Sequence, residues 1–502
     1  MSLIKEKFNL FSFTGKMKIL HSSWLAFFIC FIVWFNHMPL LKAIQTAFGL
    51  SDSQINALLL LNFALTIPAR ILVGILVDKY GPRLVFTWLL ASASIPCFIF
   101  ALADNYAQLA LSRFLLGFVG ASFVIGIRLI GEWFPAKQMG IAEGIYGGWG
   151  NFGSGAAAFT LPTIAYLWGG ENGWRYSVGL TGVIALVYSG VFFRLVRNTP
   201  KGSTYFRPKK SGALEVTSRS DFYFYMAMLV PLYAILALIT WQLSAPGVEF
   251  LRGQGKKMEA LLSPAVAYGI YALLLGLLSL NLWRVFHVNR ELLSKPVPLI
   301  HQYKFKQVAI LNLAYMVTFG SEIAVISMLP LYFQNTFHLN SFWGGVAGGA
   351  SFILMALIAR PIGGLLSDKY KRKPVLSIVL AGMSICYLVI SAINPSWPLI
   401  LAIIPVFLCS IFVQAGAGAV FAIVPLIKRR LTGQIAGLTG AYGNLGGSLF
   451  LLVLLVLTPQ LFFLVIAASS LVVLGIVQFL DEPRGATAEI LPDGTVQMIE
   501  VE

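Results

Sequence analysis

Charged residues are scarce in this chain of 502 residues: only 11% are Asp, Glu, Lys or Arg, whereas 58% belong to the hydrophobic set. Soluble domains carry roughly 25% charged residues, so the chain has fewer than half the usual number. A chain with a mean hydropathy of +0.81 cannot hide its apolar surface in a soluble core. The scarcity of charge therefore excludes a soluble protein and predicts a polytopic integral membrane protein.

Sequence patterns for metal, redox and nucleotide chemistry are also missing. The four cysteines lie inside apolar runs with no CxxC neighbour, which argues against a disulfide framework and against a zinc site. The five histidines form no HExxH or clustered ligand pattern, and no GxxxxGKS or GxxxxGKT loop is present. We therefore expect no metal and no cofactor, and the sequence disfavours a membrane enzyme or a transporter driven directly by ATP.

The charge that is present is mostly basic, giving a net charge of +16, which in a soluble protein would suggest nucleic acid. Its placement argues against that partner, because Lys and Arg cluster in alternate loops between apolar runs, the positive-inside pattern of membrane proteins. We therefore expect these loops and both termini on the cytoplasmic side of the cell (inner) membrane. The basic loops lie before residue 22 and around residues 79–83, 137, 194–210, 284–306, 369–373 and 428–430.

Fourteen apolar runs are long enough to cross a bilayer, which takes about 20 residues for roughly 30 Å of hydrocarbon. Helices are the only sensible spanning element for them. The runs are grouped as six, two and six, at 22–42, 54–77, 83–103, 106–130, 139–168, 174–196, 222–243, 264–288, 307–336, 342–367, 374–393, 397–425, 432–458 and 460–480. The sequence predicts four regions: an N-terminal six-helix bundle over 1–200, basic linkers with two inserted transmembrane helices over 201–303, a C-terminal six-helix bundle over 304–482, and a loose cytoplasmic tail over 483–502.

An internal repeat relates the two groups of six runs. The stretch ARILVGILVDKYGPRLV matches ARPIGGLLSDKYKRKPV and aligns Arg70 with Arg360 and Asp78 with Asp368, both at an offset of 290 residues. A second match, GNFGSG with GNLGGS, has an offset of 293 residues. Two unrelated motifs at nearly one offset indicate two homologous halves, an arrangement that places a transporter's central site between the halves.

Arg70 and Arg360 are the first candidates for that site. A guanidinium in hydrocarbon costs on the order of 2.5 kcal/mol or more, and Arg70 lies eight residues from Asp78, which is about 12 Å deeper along a helix. Two symmetric arginines would face each other and together require an anion. The planar donor fork of arginine suits a small, planar, singly charged oxyanion. The alternative is structural, an arginine that pairs with an acid or extends its head to the interface.

Asparagines recur at matched positions in two glycine-rich stretches, GIYGGWGNFGSGAAAF and GLTGAYGNLGGSLF. We attribute most of the glycines to close packing, because small residues let membrane helices approach each other. Asn151 and Asn444 differ from them, since an amide can donate a hydrogen bond to an oxyanion without adding charge. These two residues are therefore candidates for the same site.

These features together resemble the nitrate/nitrite porter family of the major facilitator superfamily. The glycine-asparagine stretches resemble the family's nitrate signature, and the two DKY segments resemble the gating loop of the superfamily. The stretches FVIGIRLIGEWFP and TFGSEIAVISMLPLYF also match, and they are closer to the proton-linked branch. The resemblance covers both six-span halves but not the inserted pair at 222–288, whose role it leaves open. It implies an all-α chain with the major facilitator fold, two pseudo-symmetric six-helix bundles, acting as a monomer.

The resemblance also implies a binding site for nitrate or nitrite. In that site, Arg70 and Arg360 would clamp the anion. Asn151, Asn444 and Tyr315 would donate hydrogen bonds, and Phe123 and Phe319 would lie on either side of the planar ion. For the aromatic residues, plain core packing remains the alternative. Glycine and asparagine at these positions argue against another small organic anion as the substrate.

Coupling to protons would require an ionisable group inside the membrane. Glu143, Glu322 and Arg128 are the candidates, because intramembrane carboxylates often relay protons, and Glu322 lies two helical turns from Tyr315. The alternative is that the two acids only neutralise Arg128 or Arg113. Arg113 is expected to be structural. A carboxylate that must be protonated would drive a symporter, whereas an exchanger needs none.

Asp78 and Asp368 are predicted to cap helix ends and to latch the cytoplasmic loops in the outward-open state. The sequence thus predicts a secondary transporter that imports nitrate with protons, by rocking of two halves about a fixed site. The closest alternative is nitrate/nitrite antiport. An alternative from a different functional class also remains: the protein could be a sensor that binds the anion without transporting it.

Overall fold

The computed structural model describes residues 8–170, 172–208, 210, 212–255, 259–294, 302–339, 341–482, 486–490 and 496–500. Nearly all of these residues belong to helices, so the prediction of an all-α polytopic chain is confirmed. Thirteen helical segments of the described chain are long and apolar enough to cross a membrane. Helix α8 (Met139–Trp168) is long enough as well, at 30 residues, and its glycines lower its hydropathy. Together they agree with about fourteen spans.

The N-terminal half contains six spans, two of which are interrupted. Span 2 consists of α3 and α4, which meet at Leu65, and span 4 consists of α6 and α7, joined by the 3-10 segment Gly117–Ala121. The helices of this half are α1 (Gly15–Phe35), α2 (Leu41–Phe48), α3 (Asp52–Ala64), α4 (Thr66–Tyr80), α5 (Pro82–Ala101), α6 (Tyr106–Leu116), α7 (Ser122–Trp133), α8 and α9 (Gly173–Leu195). Both interruptions lie close to Arg70 in the sequence or in space.

The C-terminal half repeats this order, and the inserted helices lie between the halves in the chain. The inserted helices are α10 (Arg219–Leu243), α11 (Ala245–Gly253) and α12 (Pro264–Ser294). The helices of the C-terminal half are α13 (Phe305–Phe337), α14 (Ser341–Gly345), α15 (Ser351–Lys369), α16 (Arg372–Ser391), α17 (Leu399–Phe421), α18 (Val424–Ile427), α19 (Thr432–Val456) and α20 (Pro459–Val477). The second span of this half is formed by α14 and α15, and the fifth by α19.

Two pairs of helices join the halves, and each pair uses a repeated motif. Helix α4 of the N-terminal half packs on α19, and α15 of the C-terminal half packs on α8. Glycines make this approach possible: a Cβ on Gly74 would lie 2.5 Å from the carbonyl oxygen of Gly433, and one on Gly364 would collide with the backbone of Gly140. The arginine-bearing helices are thereby held against the glycine-asparagine helices.

The basic loops of the described chain meet at one end of the bundle, which we call the basic end. Lys79, Lys137, Lys304, Lys369 and Arg429 lie there, at the ends of helices or in the turns between them. We call the opposite end the far end. The first helix begins at Gly15, seven residues before the predicted run, because hydropathy detects apolar residues and a helix also includes polar residues at its ends.

The C-terminal tail differs from the loose extension predicted for it. Strands β1 (Ala486–Ile490) and β2 (Val496–Glu500) pair in antiparallel register, with Ala486 opposite Glu500 and Ile490 opposite Val496. The sequence between the strands includes an Asp-Gly pair, which is typical of hairpin turns. The composition of the tail did not reveal this local pairing.

Candidate functional site

The structure brings the two repeated arginines together in the centre of the bundle. Arg70 and Arg360 are buried, with 1% and 2% of their surface exposed. The guanidinium carbon of Arg70 lies 5.9 Å from the ring centre of Phe123 and 5.3 Å from that of Phe319. For Arg360 the same two distances are 5.7 Å and 6.0 Å. Both guanidinium groups therefore face the same two rings, one from each half.

Arg70 is held by backbone carbonyl groups. Its Nε donates to the carbonyl oxygen of Gly120 at 3.1 Å, and its Nη1 donates to that of Gly440 at 2.7 Å. Gly120 lies in the 3-10 segment of span 4, and interrupted helices supply carbonyl groups that a regular helix would use internally. Gly440 belongs to α19, so the second bond joins the two halves.

Arg360 is held less completely. Its Nη2 lies 3.2 Å from the hydroxyl oxygen of Tyr315, and its Nη1 is buried without a hydrogen-bond partner in the described chain. None of the ion pairs found among the described residues involves Arg70 or Arg360. The centre of the bundle therefore contains two cationic groups that no acidic side chain contacts, which is the arrangement that an anion would complete.

Aromatic rings surround the arginines in a nearly parallel set. The ring of Tyr315 is within 2° of parallel to Phe123 and within 3° of parallel to Phe319, at centre distances of 6.2 Å and 5.0 Å. Phe421 lies edge-on to Phe123 at 4.6 Å and to Tyr315 at 4.7 Å. Sequence reasoning missed Phe421, because it aligns with no aromatic residue in the repeat and lies in an ordinary apolar run.

The two asparagines lie one helical turn beyond the glycines that contact the arginines. A Cβ on Gly147 would lie 3.1 Å from Nε of Arg360, and one on Gly440 would lie 2.8 Å from Nη1 of Arg70. Asn151 and Asn444 follow these glycines by four residues, on the same helix faces. The amide nitrogen of each is buried without a hydrogen-bond partner in the described chain. Unpaired buried amides are costly, so both are suited to a bound acceptor.

A cavity of about 510 Å³ runs from the far end toward this site, and residues of both halves line it. Trp34 and Asn151 contribute from the N-terminal half, and Phe319, Glu322 and Ile353 from the C-terminal half. Asn151 and Phe319 therefore connect the cavity with the arginine pair. Arg70 and Arg360 themselves are not among the residues that line this cavity.

Glu322 and Glu143 are both buried, but in different surroundings. Glu322 lines the cavity, its Oε2 has no hydrogen-bond partner in the described chain, and the charge of Arg360 acts on its carboxyl group. Glu143 has no partner for either carboxyl oxygen among the described residues, and its electrostatic neighbour is Asp368. Only Glu322 thus combines access to the cavity with proximity to the arginine pair.

Asp78 and Asp368 join the halves at the basic end, at equivalent positions of the repeat. The carboxyl oxygens of Asp368 accept hydrogen bonds from the backbone N–H groups of Gly140 and Ile141 at 2.8 Å and 2.9 Å. Those of Asp78 accept from Gly433 and Gln434, both at 2.9 Å. Each aspartate thereby caps the first turn of a helix in the other half, where a negative charge is favourable. The basic end is closed while the far end has an open cavity.

Arg128 belongs to this closure and not to the cavity. It forms an ion pair with Asp78 at 2.9 Å and another with Glu132. The ring of Tyr205 lies 4.6 Å from the guanidinium carbon of Arg128. Burial raises the pKa of Tyr205, and its hydroxyl donates to the carbonyl oxygen of Val77 at 2.6 Å. The structure therefore separates Arg128 from Glu143 and Glu322, with which it was grouped as a proton-coupling candidate.

Arg113 lies in the N-terminal half, away from both acids. Its Nη1 is 2.6 Å from Nδ1 of His37, and its guanidinium carbon is 4.5 Å from the ring centre of Phe100. The alternative in which Glu143 and Glu322 neutralise Arg113 or Arg128 is therefore wrong. Both acids are left for another role.

The chain matches known proteins over most of its length. A model of the Major Facilitator Superfamily matches residues 23–451, with a second match at 311–490. The chain is 44% identical to the nitrate/nitrite transporter NrtP of Picosynechococcus sp., covering 96% of both chains, and 41% identical to NrtP of Nostoc punctiforme, covering 96% of this chain and 95% of that one. It is 27% identical to the probable nitrate/nitrite antiporter NarK1 of Thermus thermophilus, covering 86% and 83%.

Solved structures share the fold at much lower identity. The proton:xylose symporter XylE matches with a TM-score of 0.57 and 14% identity, over 93% of this chain and 96% of that one. The human organic anion transporter MFSD10 matches with a TM-score of 0.59 and 12% identity, over 93% and 100%. These likenesses concern the arrangement of the two six-helix halves.

Proposed function

Because the chain belongs to the nitrate/nitrite porter family of the Major Facilitator Superfamily, whose members are membrane transporters and not enzymes, we propose that it imports nitrate by proton symport and that nitrite can use the same site. One observation carries the proposal. Two buried guanidinium groups, Arg70 and Arg360, face the same two aromatic rings, one of which, Phe319, lines the cavity, and no described acidic side chain pairs with either.

Nitrate fits this arrangement in charge and in shape. It is planar and singly charged, and its three oxygens are hydrogen-bond acceptors that a guanidinium fork can contact in pairs. The free Nη1 of Arg360 and the unpaired amides of Asn151 and Asn444 are available donors. The rings of Phe123 and Phe319, which both guanidinium groups face, would wall the flat ion. Each charged hydrogen bond contributes about 1.5–3 kcal/mol, so a few suffice for binding.

The conformation corresponds to an outward-open carrier in this proposal. By the positive-inside rule the basic end faces the cytoplasm, so the cavity at the far end opens to the outside. Asp78 and Asp368 hold the cytoplasmic side closed through backbone N–H groups of the opposite half. Rocking of the halves about the arginine pair would break these caps and give the bound anion access to the cytoplasm.

Glu322 provides the coupling to protons. When it is ionised, its carboxylate can neutralise Arg360 and so take the place of the anion in the empty carrier. When it is protonated, Arg360 is free to bind nitrate. A proton on Glu322 therefore accompanies each entry of nitrate, and the empty carrier can return because its arginine is again neutralised. An exchanger without such a carboxylate would have to return with a second anion.

Nitrate uptake into proteoliposomes tests this function. We expect an imposed proton gradient, acidic outside, to drive nitrate accumulation with no anion inside the vesicles, because Glu322 loads its proton from the outward cavity. A control population receives nitrite inside and no gradient. Uptake that requires internal nitrite and ignores the gradient would contradict symport, and binding without uptake would indicate a sensor.

Nitrate/nitrite antiport is the second candidate. The symmetric arginine pair favours it, because exchange requires only that one bound anion be replaced by another. The likeness to a probable nitrate/nitrite antiporter at 27% identity also favours it. The carboxyl group of Glu322, which lines the cavity with its Oε2 free of hydrogen bonds in the described chain, is the feature that antiport leaves without a role.

A further inference from the structure

The inserted helices form a hairpin that packs on the C-terminal half. Tyr233 of α10 is hydrogen-bonded to Asn281 of α12. From the C-terminal half, Tyr442 of α19 donates to the carbonyl oxygen of Met228 at 2.7 Å. The ring of Phe305, at the start of α13, lies 5.2 Å from the ring of Tyr225. Helix α10 is therefore attached to α13 and α19 along its basic half.

The chain before and after the hairpin strengthens this attachment at the basic end. Glu215 forms an ion pair with Arg430 at 2.9 Å, in the turn before α19. Tyr303, just before α13, donates its hydroxyl to the carbonyl of Glu215 at 2.6 Å, and burial keeps that hydroxyl protonated by raising the pKa of Tyr303. Asn289 of α12 accepts from the N–H of Val216 at 2.9 Å. The hairpin is thus fixed to the C-terminal half from residue 215 onward.

At the far end the hairpin contacts the N-terminal half instead. Ile239 and Leu243 of α10 form a buried cluster with Ala57 of α3, and all three are less than 9% exposed. The backbone N–H of Glu259 donates to the hydroxyl of Ser53, also on α3, at 3.1 Å. One element of the C-terminal assembly thereby reaches across to span 2 of the other half.

The contacted helix, α3, is the segment of span 2 nearest the far end. It begins with its own capping box, in which Ser51 and Gln54 exchange hydrogen bonds, and it ends at Leu65, five residues before Arg70. Phe63 on the same helix lines the cavity. A short helix that has its own cap, ends at a break and lines the cavity can change its angle without unfolding the rest of span 2.

We propose that the inserted hairpin is a brace that holds α3 away from the cavity in the outward-open state. Rocking moves the far ends of the two halves relative to each other, and the hairpin is fixed to the C-terminal half. The contacts at Ser53 and Ala57 therefore cannot keep their geometry when the far end closes. They stabilise the open form selectively, and their loss accompanies closure. This role is independent of which anion or coupling ion is carried.

A disulfide between the hairpin and α3 tests the brace. Ser53→Cys with Glu259→Cys should form a cross-link under mild oxidation, since the side-chain oxygen of Ser53 lies 3.1 Å from the backbone nitrogen of Glu259. We expect the cross-linked protein to keep binding anions from the far side while nitrate uptake is lost, and reduction to restore uptake. The matched control is Ser384→Cys with Ala467→Cys, which joins two helices of the same half and should leave uptake unchanged. Full uptake by the cross-linked brace, or failure of the cross-link to form, would overturn the proposal.

A second experiment needs no transport. A cysteine at Ser154, which lines the cavity, reports its accessibility through the rate of thiol labelling; the four native cysteines are buried. Ile239→Ala with Leu243→Ala should slow this labelling about threefold or more, because the outward-open population falls. The control is Leu275→Ala on the exposed face of α12, which should leave the rate unchanged. An equal or faster rate in the brace variant would contradict the proposal.

Discussion

Arg70 and Arg360 occupy equivalent positions in the two halves, but the protein holds them differently. Arg70 donates to two backbone carbonyl groups, and one of them, that of Gly440, belongs to the other half. The hydroxyl of Tyr315 interacts with both arginines, and Arg360 keeps one terminal nitrogen without a hydrogen-bond partner in the described chain. The two halves thus share an arginine at the equivalent position, but the groups that contact it differ.

This difference suggests two roles for one pair of residues. A guanidinium that is already bonded to both halves changes its environment when the halves rock, so Arg70 is suited to link the anion with closure. A guanidinium with a free donor beside the cavity and near Glu322 is suited to receive the anion, which is the role of Arg360 in the proposed symport.

Exchange of each arginine for lysine should separate the two roles. Arg70→Lys keeps the charge but loses the fork that reaches both carbonyl groups, so we expect nitrate uptake to fall on the order of 100-fold, mainly in the maximal rate. Arg360→Lys should act mainly on KM, by about tenfold or more. Initial rates over a range of nitrate concentrations measure both. Full uptake by Arg70→Lys would contradict the clamp, and identical kinetics of the two variants would contradict the division of roles.

Glu322→Gln should abolish accumulation without abolishing the carrier. A neutral amide cannot neutralise Arg360 in the empty carrier, so we expect gradient-driven accumulation to fall about tenfold or more while exchange of internal for external nitrate continues. Glu143→Gln is the matched control, because Glu143 lies near Asp368 and not in the lining of the cavity. Loss of coupling in Glu143→Gln but not in Glu322→Gln would contradict the assignment of the proton to Glu322.

The two aspartates at the basic end form a second unequal pair. Both accept two backbone N–H bonds, but Asp78 is fully buried and also carries the ion pair with Arg128, whereas Asp368 is half-buried. Asp78→Asn should therefore lower the free energy of unfolding by about 3 kcal/mol, because it leaves a buried cation short of a partner, and Asp368→Asn by about 1 kcal/mol. Thermal unfolding in detergent compares them. Equal losses would show that Arg128 does not depend on Asp78.

The asparagines should show the smallest difference. Asn151 lines the cavity, so Asn151→Ala should raise the KM for nitrate about three- to tenfold through loss of one hydrogen bond. Asn444 is buried on α19 and does not line the cavity, so Asn444→Ala should raise KM by less. The reverse order in initial-rate measurements would place the anion nearer to α19 than proposed.

The fold and the arginine pair could be predicted from the sequence for physical reasons. A membrane span requires a long apolar run, and the internal repeat by itself aligns Arg70 with Arg360. The repeat does not identify Phe123, Phe319 and Tyr315 as neighbours of the arginines; only the resemblance to a known family predicted them. Charge in an apolar run is the signal that sequence reports most directly.

The contacts between spans could not be predicted from the sequence, because they depend on how the helices are placed against one another. Asp78 and Arg128 are 50 residues apart and lie in different helices, so their ion pair follows only from how spans 2 and 4 pack. The carbonyl groups of Gly120 and Gly440 have no side chain to mark them, although they hold Arg70. The break at Leu65 is different, because Pro68 cannot donate a hydrogen bond to the carbonyl oxygen of Ala64, so the sequence does contain a signal for it.

The central claim is that one planar anion completes the arginine pair, and a structure of the protein with bound nitrate tests it most directly. The account predicts planar density between Phe123 and Phe319, within hydrogen-bond distance of Nη1 of Arg360 and of the guanidinium of Arg70. Density at another site, with Arg70 still bonded to both carbonyl groups and Arg360 still unpaired, would contradict it.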